Sequence, residues 1–203
     1  MQTSDLRWGA DVPDDLDSAK SRLIDAAEEC FGRLGIAKTT VEDIAKEAKV
    51  SRATVYRYIE GRDDLVLGVL LRDTDRHLGR IRPRMEQLGS LSDVIVEFVV
   101  MTERATRRDP SLSLLFTVDE ARLAGGIIAG ASLVLFERVK DFFLPFFARW
   151  PAQLGEGVDV TGASEWIVRT LLSLLTVRGP HLRTPDGQRQ YLRTYLVPAI
   201  CAS

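Results

Sequence analysis

The sequence predicts an all-α protein, and three observations carry that prediction. Apolar residues recur every three to four positions through most of the chain, which is the period of amphipathic helices. Side chains that favour helix N-termini precede several of these segments, and Gly or Pro follows them. No stretch shows the alternation of apolar and polar residues that is typical of a strand. The 203 residues are enough for one large domain or two small ones.

The chain is expected to begin with an acidic tail and one helix. Residues 1–16 contain four Asp against one Arg and offer little to bury, so they are expected to be disordered. A helix then starts near Asp17 or Ser18, because both residue types are good N-caps. Its apolar residues keep helical spacing until Gly35, which suits the position just after a helix.

Two short helices joined by a tight turn follow. Thr40 is a natural N-cap for the second helix, and Asp43 three residues later makes a near capping box. Ser51 is a further N-cap, and the third helix runs from Arg52 to about Ile59. The spacing of apolar residues in both helices predicts a helix-turn-helix.

A helix-turn-helix leaves one face of its last helix exposed. With Val55 and Ile59 directed inward, the residues expected to face outward are Arg52, Ala53, Thr54, Tyr56 and Arg57. The major groove of DNA admits one α-helix, and these side chains include types that read or grip it. Residues 49–62 carry four cations against one acid, although the whole chain has a net charge of −2. The pattern therefore predicts a local DNA-binding surface.

The remaining chain is expected to be helical and more apolar. A fourth helix begins near Arg62 and is bounded by Pro83, and Pro145 is expected to bend the chain. The other expected helices cover residues 91–107, 111–118, 120–144, 162–178 and 186–201, and the segment 120–144 is either one long helix or a kinked pair. The predicted organisation is a compact N-terminal bundle and a larger C-terminal one.

The segment LIDAAEECFGRLGIAKTTVEDIAKEAKVSRATVYRYIEGRDDL resembles the DNA-binding domain of the TetR family of bacterial transcriptional regulators. The resemblance covers roughly residues 20–66, and the rest of the chain matches the family only in layout and length. After the acidic tail at residues 1–16, it implies a helix-turn-helix domain at 17–61 and a ligand-binding and dimerisation domain at 62–203.

The resemblance implies a homodimer that binds a palindromic operator in double-stranded DNA, usually represses it, and is released by a small ligand. Ser51 would cap the recognition helix, Tyr56 would grip a phosphate, and Thr40 would cap the preceding helix against the DNA backbone. Arg62 stands in place of the basic residue that starts the fourth helix. The full set of implied DNA-binding residues is Thr40, Ser51, Arg52, Ala53, Thr54, Tyr56, Arg57 and Arg62.

The segment departs from the family pattern at three places. Lys49 stands where the turn usually has Gly, so it must adopt a left-handed conformation at a cost of roughly 1 kcal/mol, or the turn must differ. Ile59 replaces a usual Phe. Gly61 and Arg62 replace a small polar residue and Lys, which retains a cation but not an equivalent one.

The larger bundle is expected to hold a ligand and a second copy of the chain. Candidates for lining a ligand pocket are Phe98, Met101, Phe116, Phe136 and Phe143, and ordinary core packing would give the same pattern. No buried charge is evident, which favours a small apolar ligand. The last two helices carry more apolar surface than one bundle needs. Candidates for the dimer interface are Trp166, Leu171, Leu172, Leu175, Tyr191, Leu192 and Tyr195.

Other function classes have less support. His77 and His181 lie far apart without Cys or carboxylates at metal-ligand spacing, and His77 is expected on the polar side of its helix. No catalytic residue, metal site or cofactor is therefore predicted. The longest apolar runs, about a dozen residues, are shorter than the roughly 20 that span a bilayer. The sequence predicts a cytoplasmic protein without a membrane partner.

Two alternatives stay open at this point. One is a helical small-molecule-binding protein or enzyme whose helix-turn-helix is only structural. The other is a regulator that activates rather than represses its genes. The operator, the ligand and the regulated genes are not specified by any motif in the sequence.

Overall fold

The computed structural model describes residues 15–108, 118–177, 179 and 184–202, with only the backbone described for residues 118–132. In this part of the chain the fold is all-α, as predicted, and contains no strand. The α-helices are α1 (Leu16–Leu34), α2 (Val41–Glu47), α3 (Arg52–Tyr58), α4 (Arg62–Met85), α5 (Leu91–Arg108), α6 (Val118–Arg149), α7 (Val160–Thr176) and α8 (Pro185–Tyr195). Single 3-10 turns occur at Pro151–Gln153 and Val197–Ala199.

The described side chains form two hydrophobic cores. The first is built by α1, α2, α3 and the N-terminal half of α4, around fully buried residues such as Leu23 and Leu65. The second is built by the C-terminal half of α4 and by α5 to α8. It contains five Phe rings that contact one another: Phe98, Phe142, Phe143, Phe146 and Phe147. Helix α4 thus has buried side chains in both cores.

The helix N-termini follow the capping chemistry that the sequence predicts. Thr40 forms a complete capping box with Asp43, and the Ser51 hydroxyl accepts a hydrogen bond from the Thr54 amide at 3.1 Å. The first helix starts slightly earlier than predicted, because the carboxylate of Asp15 accepts from the Ser18 amide at 2.7 Å. Asp15 and Leu16, which were assigned to the disordered tail, therefore belong to the start of α1. Residues 1–14 lie outside the described residues.

Pro83 was expected to bound the fourth helix and Pro145 to bend the chain, and both lie inside helices. Helix α4 continues through Pro83 to Met85, and α6 continues through Pro145 to Arg149. A proline removes one backbone hydrogen bond, but buried side chains on both sides of each proline favour continuation. The predicted helix at 111–118 falls almost entirely outside the described residues. The last predicted helix ends earlier, at Tyr195.

Among the described residues, no helix is both long enough and apolar enough to cross a membrane.

Candidate nucleic-acid interface and internal cavity

The turn between α2 and α3 places α3 at the surface. Lys49 has φ of 57°, so the left-handed conformation expected at this position is confirmed. The next amide, that of Val50, donates to the carbonyl of Ala45 at 2.9 Å and closes the turn. Ala45 is buried between the helices, and Val55 and Ile44 pack in the first core. The short α3 is thereby fixed along its inner side and presents the other side to solvent.

The exposed side of α3 carries two cations and a phenol. Arg52, Ala53, Tyr56 and Arg57 are all exposed, as predicted. The guanidinium of Arg52 donates to the Tyr56 hydroxyl at 3.3 Å and lies 5.4 Å from the centre of its ring. These side chains stand next to each other on one helix face. A guanidinium can donate two parallel hydrogen bonds to guanine or to a phosphate, and a phenol can donate one to a phosphate.

The prediction that Thr54 faces outward is wrong. Thr54 is only 3% exposed, and its hydroxyl lies 2.9 Å from the Ser51 hydroxyl. Helical side chains lean toward the N-terminus of their helix, so this side chain lies back over the cap residue three positions earlier. Thr54 therefore stabilises the start of α3.

The guanidinium of Arg62 already has partners inside the chain. Its Nε donates to the carbonyl of Thr39 at 3.0 Å, and its Nη2 donates to the carbonyl of Ile36. Arg62 thus joins the start of α4 to the segment between α1 and α2. The phosphate contact predicted for Arg62 stays a prediction, and only the N–H groups left over by these bonds are free to make it. Thr40, by contrast, is exposed at the start of α2.

A cavity of about 360 Å³ lies where the two cores approach each other. Its described lining comes from α4, α5, α6 and α7, with Glu28 contributed by α1: Glu28, Leu70, Asp73, Thr74, Arg76, His77, Leu78, Arg80, Phe98, Thr102, Ala105, Thr106, Leu135, Val139, Val168, Leu171, Leu172 and Leu175. This volume is within the range of small-molecule sites.

The cavity agrees with the predicted pocket residues at one position. Phe98 lines it, whereas Phe143 is fully buried in the second core and Met101 and Phe136 pack against that core. Phe116 lies outside the described residues. The sequence could not distinguish rings that surround a cavity from rings that fill the space between helices, because both recur at helical spacing.

His77 is one of the lining residues that the sequence analysis missed. It is half-buried, and its Nε2 lies 2.9 Å from the hydroxyl of Thr102. Burial, and then the nearby charge of Arg80, lowers the pKa of His77. A signal was available: Leu70, Thr74 and His77 continue one face of α4 at helical spacing, so this histidine does not lie on the polar side as expected.

Ion pairs join α1 to α4 beside the cavity. Arg72 pairs with Asp25 and Glu28, and Arg76 donates to Glu28 at 2.5 Å. Arg76 also pairs with Asp73 on its own helix. The hydrogen bond from Arg76 lowers the pKa of Glu28, against the opposing effect of burial. Glu28 is thus both a partner of α4 and part of the cavity wall.

The predicted dimer residues divide into two groups. Trp166 and Tyr195 are 48% and 67% exposed, and Leu172 and Tyr191 are half-buried. The other three are buried within this chain, so their assignment to an interface surface is wrong: Leu171, Leu175 and Leu192. All three were on apolar helix faces, but those faces contact the second core.

Comparison with known proteins gives a consistent result. The sequence profile "Bacterial regulatory proteins, tetR family" matches residues 23–69. An uncharacterized HTH-type transcriptional regulator of Mycobacterium tuberculosis is 31% identical over 183 residues, which cover 90% of this chain and 85% of the relative.

Two solved structures share the fold at low sequence identity. The structure of RolR in complex with the ligand resorcinol has a TM-score of 0.69 and 16% identity, covering 91% of this chain and 88% of RolR. AlkX of Dietzia sp., described as a TetR family repressor implicated in biodegradation of n-alkanes, has a TM-score of 0.65 and 23% identity, covering 89% and 94%.

Proposed function

This chain belongs to the tetR family of bacterial regulatory proteins, and on that premise we propose that it is a ligand-responsive repressor that binds a palindromic operator as a homodimer. It is a DNA-binding transcriptional regulator with an N-terminal helix-turn-helix. The observation that carries the proposal is the exposed face of α3, where Arg52, Tyr56 and Arg57 stand together. A regulator of this kind acts in the cytoplasm, where its operator is.

We assign distinct roles to the exposed residues of α3. Arg52 and Arg57 are placed to read base edges in the major groove, and Tyr56 to bind a phosphate. Ser51 and Thr40 hold the two helix starts, and Thr40 lies near enough to the surface to meet the DNA backbone. Ala53 offers a small apolar contact, of the kind that fits a thymine methyl group. The alternative of a structural helix-turn-helix gives no reason for two exposed arginines and a tyrosine on one short helix.

The experiment that tests DNA recognition is selection of bound sequences from a random DNA library. A palindrome, with half-sites about one helical turn or slightly more apart, supports both operator binding and a two-fold dimer. Selected sequences without symmetry would contradict the dimer, and failure to enrich any sequence would contradict specific recognition.

We place the dimer interface on the exposed side of α7 and α8. Trp166 lies on α7, and on α8 the ring of Tyr195 packs against that of Tyr191 in a tilted arrangement with centroids 4.9 Å apart. Ion pairs fix α8 onto α5: Arg193 with Asp93 at 2.5 Å, and Arg189 with the buried Glu97. A firmly held pair of helices with exposed aromatic residues suits a symmetric contact.

The dimer is tested by a double substitution, Trp166→Glu with Tyr195→Glu. We expect this variant to sediment as a monomer and to lose high-affinity operator binding, while Leu144→Glu, an exposed position on α6, leaves both unchanged. A wild-type protein that is monomeric at micromolar concentration would contradict the proposed assembly.

The cavity is the proposed site of the releasing ligand. It touches Glu28 on α1 and the middle of α4, and both helices pack in the same core as α3. A ligand that favours a different position of α4 by about 3 kcal/mol would weaken operator binding by more than a hundredfold. Operator DNA must then weaken ligand binding by the same factor, which titration of a ligand with and without operator measures directly.

A further inference from the structure

Three arginines stand four residues apart on α4, and they have different partners. Arg72 and Arg76 are paired with carboxylates of α1, namely Asp25 and Glu28. Arg80 comes one turn later and is exposed. Within the residues that the structure describes, no carboxylate pairs with it. The third arginine of this row thus lies at the wall of the cavity without a carboxylate partner among the described residues.

Hydrogen-bonding groups line the same cavity as this cation. His77 is half-buried one turn before Arg80 and lies 2.9 Å from the Thr102 hydroxyl, and Thr106 follows Thr102 on the same face of α5. These groups can donate or accept hydrogen bonds at the polar end of the cavity. Glu28 and Asp73 also line the cavity, but both are paired with Arg76. The guanidinium of Arg80 beside an imidazole and two hydroxyls is therefore a suitable environment for a carboxylate.

Another part of the cavity lining is apolar. It is formed by Phe98 on α5, Val139 on α6, and Val168, Leu171 and Leu175 on α7. These residues belong to the second core, which is buried. Half-buried neighbours such as Met101 and Phe136 pack against that core. A ligand that lies along this apolar lining gains by burying hydrocarbon. A pocket with one charged polar end and one hydrocarbon wall matches an amphipathic molecule.

We propose that the cavity binds a small amphiphile with an anionic carboxylate head group, held by Arg80, His77 and Thr102, and a hydrocarbon tail against Phe98 and Leu171. The proposal rests on the proposed function, since it specifies the ligand of the same cavity. This ligand class differs from the small apolar ligand that the sequence favoured. Helical spacing alone did not show that charged residues line the cavity.

The head group would also act on the contact between α1 and α4. Arg76 lies one turn before Arg80 and is shared between Glu28 and Asp73. An anion bound at Arg80 adds a further negative charge next to that cluster and competes with Glu28 for Arg76. Weakening this pair loosens α1 from α4 without any direct contact between ligand and DNA.

The test uses octanoate, decanoate and dodecanoate as probes, each compared with the primary alcohol of equal length. Affinity for the full chain without DNA is measured by titration calorimetry. We expect at least one carboxylate to bind roughly tenfold to a hundredfold more tightly than its alcohol, because a hydrogen bond to a charged group contributes that much. We expect Arg80→Gln to abolish the difference and Arg80→Lys to retain part of it.

The matched control is Arg104→Gln, an exposed arginine on α5 that does not line the cavity. It should leave the preference for carboxylate unchanged. Equal affinities for acid and alcohol, an equal effect of Arg104→Gln, or no binding of any carboxylate would each overturn the proposal. Sequence selection on random DNA is unaffected by these outcomes, so failure of this ligand class remains distinguishable from failure of the proposed function.

Discussion

The two hydrophobic cores differ in composition and in how they are held together. The first core is mainly aliphatic, with Phe31 as its one buried ring among the described residues, and its short helices depend on caps at Thr40 and Ser51. The second core contains five Phe rings in mutual contact and is built by longer helices. On α4, residues 71–77 separate the buried side chains of one core from those of the other and are mostly polar.

This separation shows where the molecule can change shape. Close packing transmits displacement, but a polar stretch with ion pairs and a cavity can rearrange at lower cost. The row of charges from Arg72 to Arg76 and the cavity wall lie in this stretch. We therefore expect substitutions inside either core to change stability, and substitutions between the cores to change the coupling of ligand and DNA.

The largest expected effect is in the second core. Phe143→Ala removes a fully buried ring that contacts Phe98, Phe142, Phe146 and Phe147. A Phe-to-Ala change in a core lowers the free energy of unfolding by about 3–5 kcal/mol. Urea denaturation followed by circular dichroism measures it.

The control for this substitution is the next residue. Leu144 is 44% exposed, and Leu144→Ala should change the free energy of unfolding by less than about 0.5 kcal/mol. If Phe143→Ala lowers the stability of the whole chain in a single transition, the two cores unfold together. If it produces a first transition that leaves the helix-turn-helix folded, the two cores unfold independently.

The next effect concerns recognition rather than stability. Arg57→Ala and Arg52→Ala should each lower the preference for one base pair per half-site by about 1–3 kcal/mol, because a bidentate contact to guanine is lost. Neither residue is buried, so the unfolding transition should not move. Competition binding with single-base operator variants measures the change, and Arg104→Ala is the control. An unaltered base preference in both variants would exclude direct reading by these side chains.

Sequence reasoning succeeded where local chemistry decides the structure. The caps at Thr40 and Ser51 and the left-handed Lys49 follow from residue type and spacing over a few positions. It failed where contacts between distant segments decide. Pro83 remains in α4 because side chains on either side of it are buried, and the cavity wall at His77 depends on how α4 meets α5.

The candidate sites show the same division. The outward positions of α3 were predicted except Thr54, whose side chain turns back onto its own cap. Of the proposed pocket residues, only Phe98 lines the cavity. Leu192 was assigned to the dimer surface although it is fully buried. An apolar helix face shows that a residue is covered, but only the fold shows whether another helix, a ligand or a second chain covers it.

A smaller effect is expected between the cores. Glu28→Gln removes the charge that pairs with Arg76 and Arg72. The Glu28 side chain is about one-third exposed, so the stabilisation is that of a surface pair, about 0.2–1 kcal/mol. The pKa of Glu28 is lowered in the folded chain by Arg76. Its contribution is therefore present above the pKa of an unfolded Glu and is lost as pH falls through the lower, folded value.

The measurement for Glu28 is the difference in unfolding free energy between wild type and variant as a function of pH. The difference should be largest near neutral pH and should disappear in strong acid. Glu29→Gln, an exposed neighbour on α1, is the control and should show no such dependence on pH. A difference that is constant over the whole pH range would show that Glu28 acts by packing and not by charge.

The smallest expected effect is an increase in stability in the first core. Lys49 occupies the left-handed region with φ of 57°, where a side chain costs roughly 1–2 kcal/mol and glycine does not. Lys49→Gly removes that cost but gives the unfolded chain more freedom, which offsets about 0.4–1 kcal/mol. The free energy of unfolding should therefore rise by a few tenths of a kcal/mol up to about 1 kcal/mol, measurable as a small rise in the urea midpoint. Lys46→Gly, at an exposed position inside α2, should instead lower the free energy of unfolding by about 0.5–1 kcal/mol, because glycine is unfavourable in a helix. Lys49 is also a cation beside the recognition helix, so its loss should weaken binding to all DNA sequences alike and reduce the salt dependence. A gain in stability with unchanged DNA affinity would show that this turn carries strain without a role in binding, whereas a loss of stability would show that Lys49 makes contacts that outweigh its conformation.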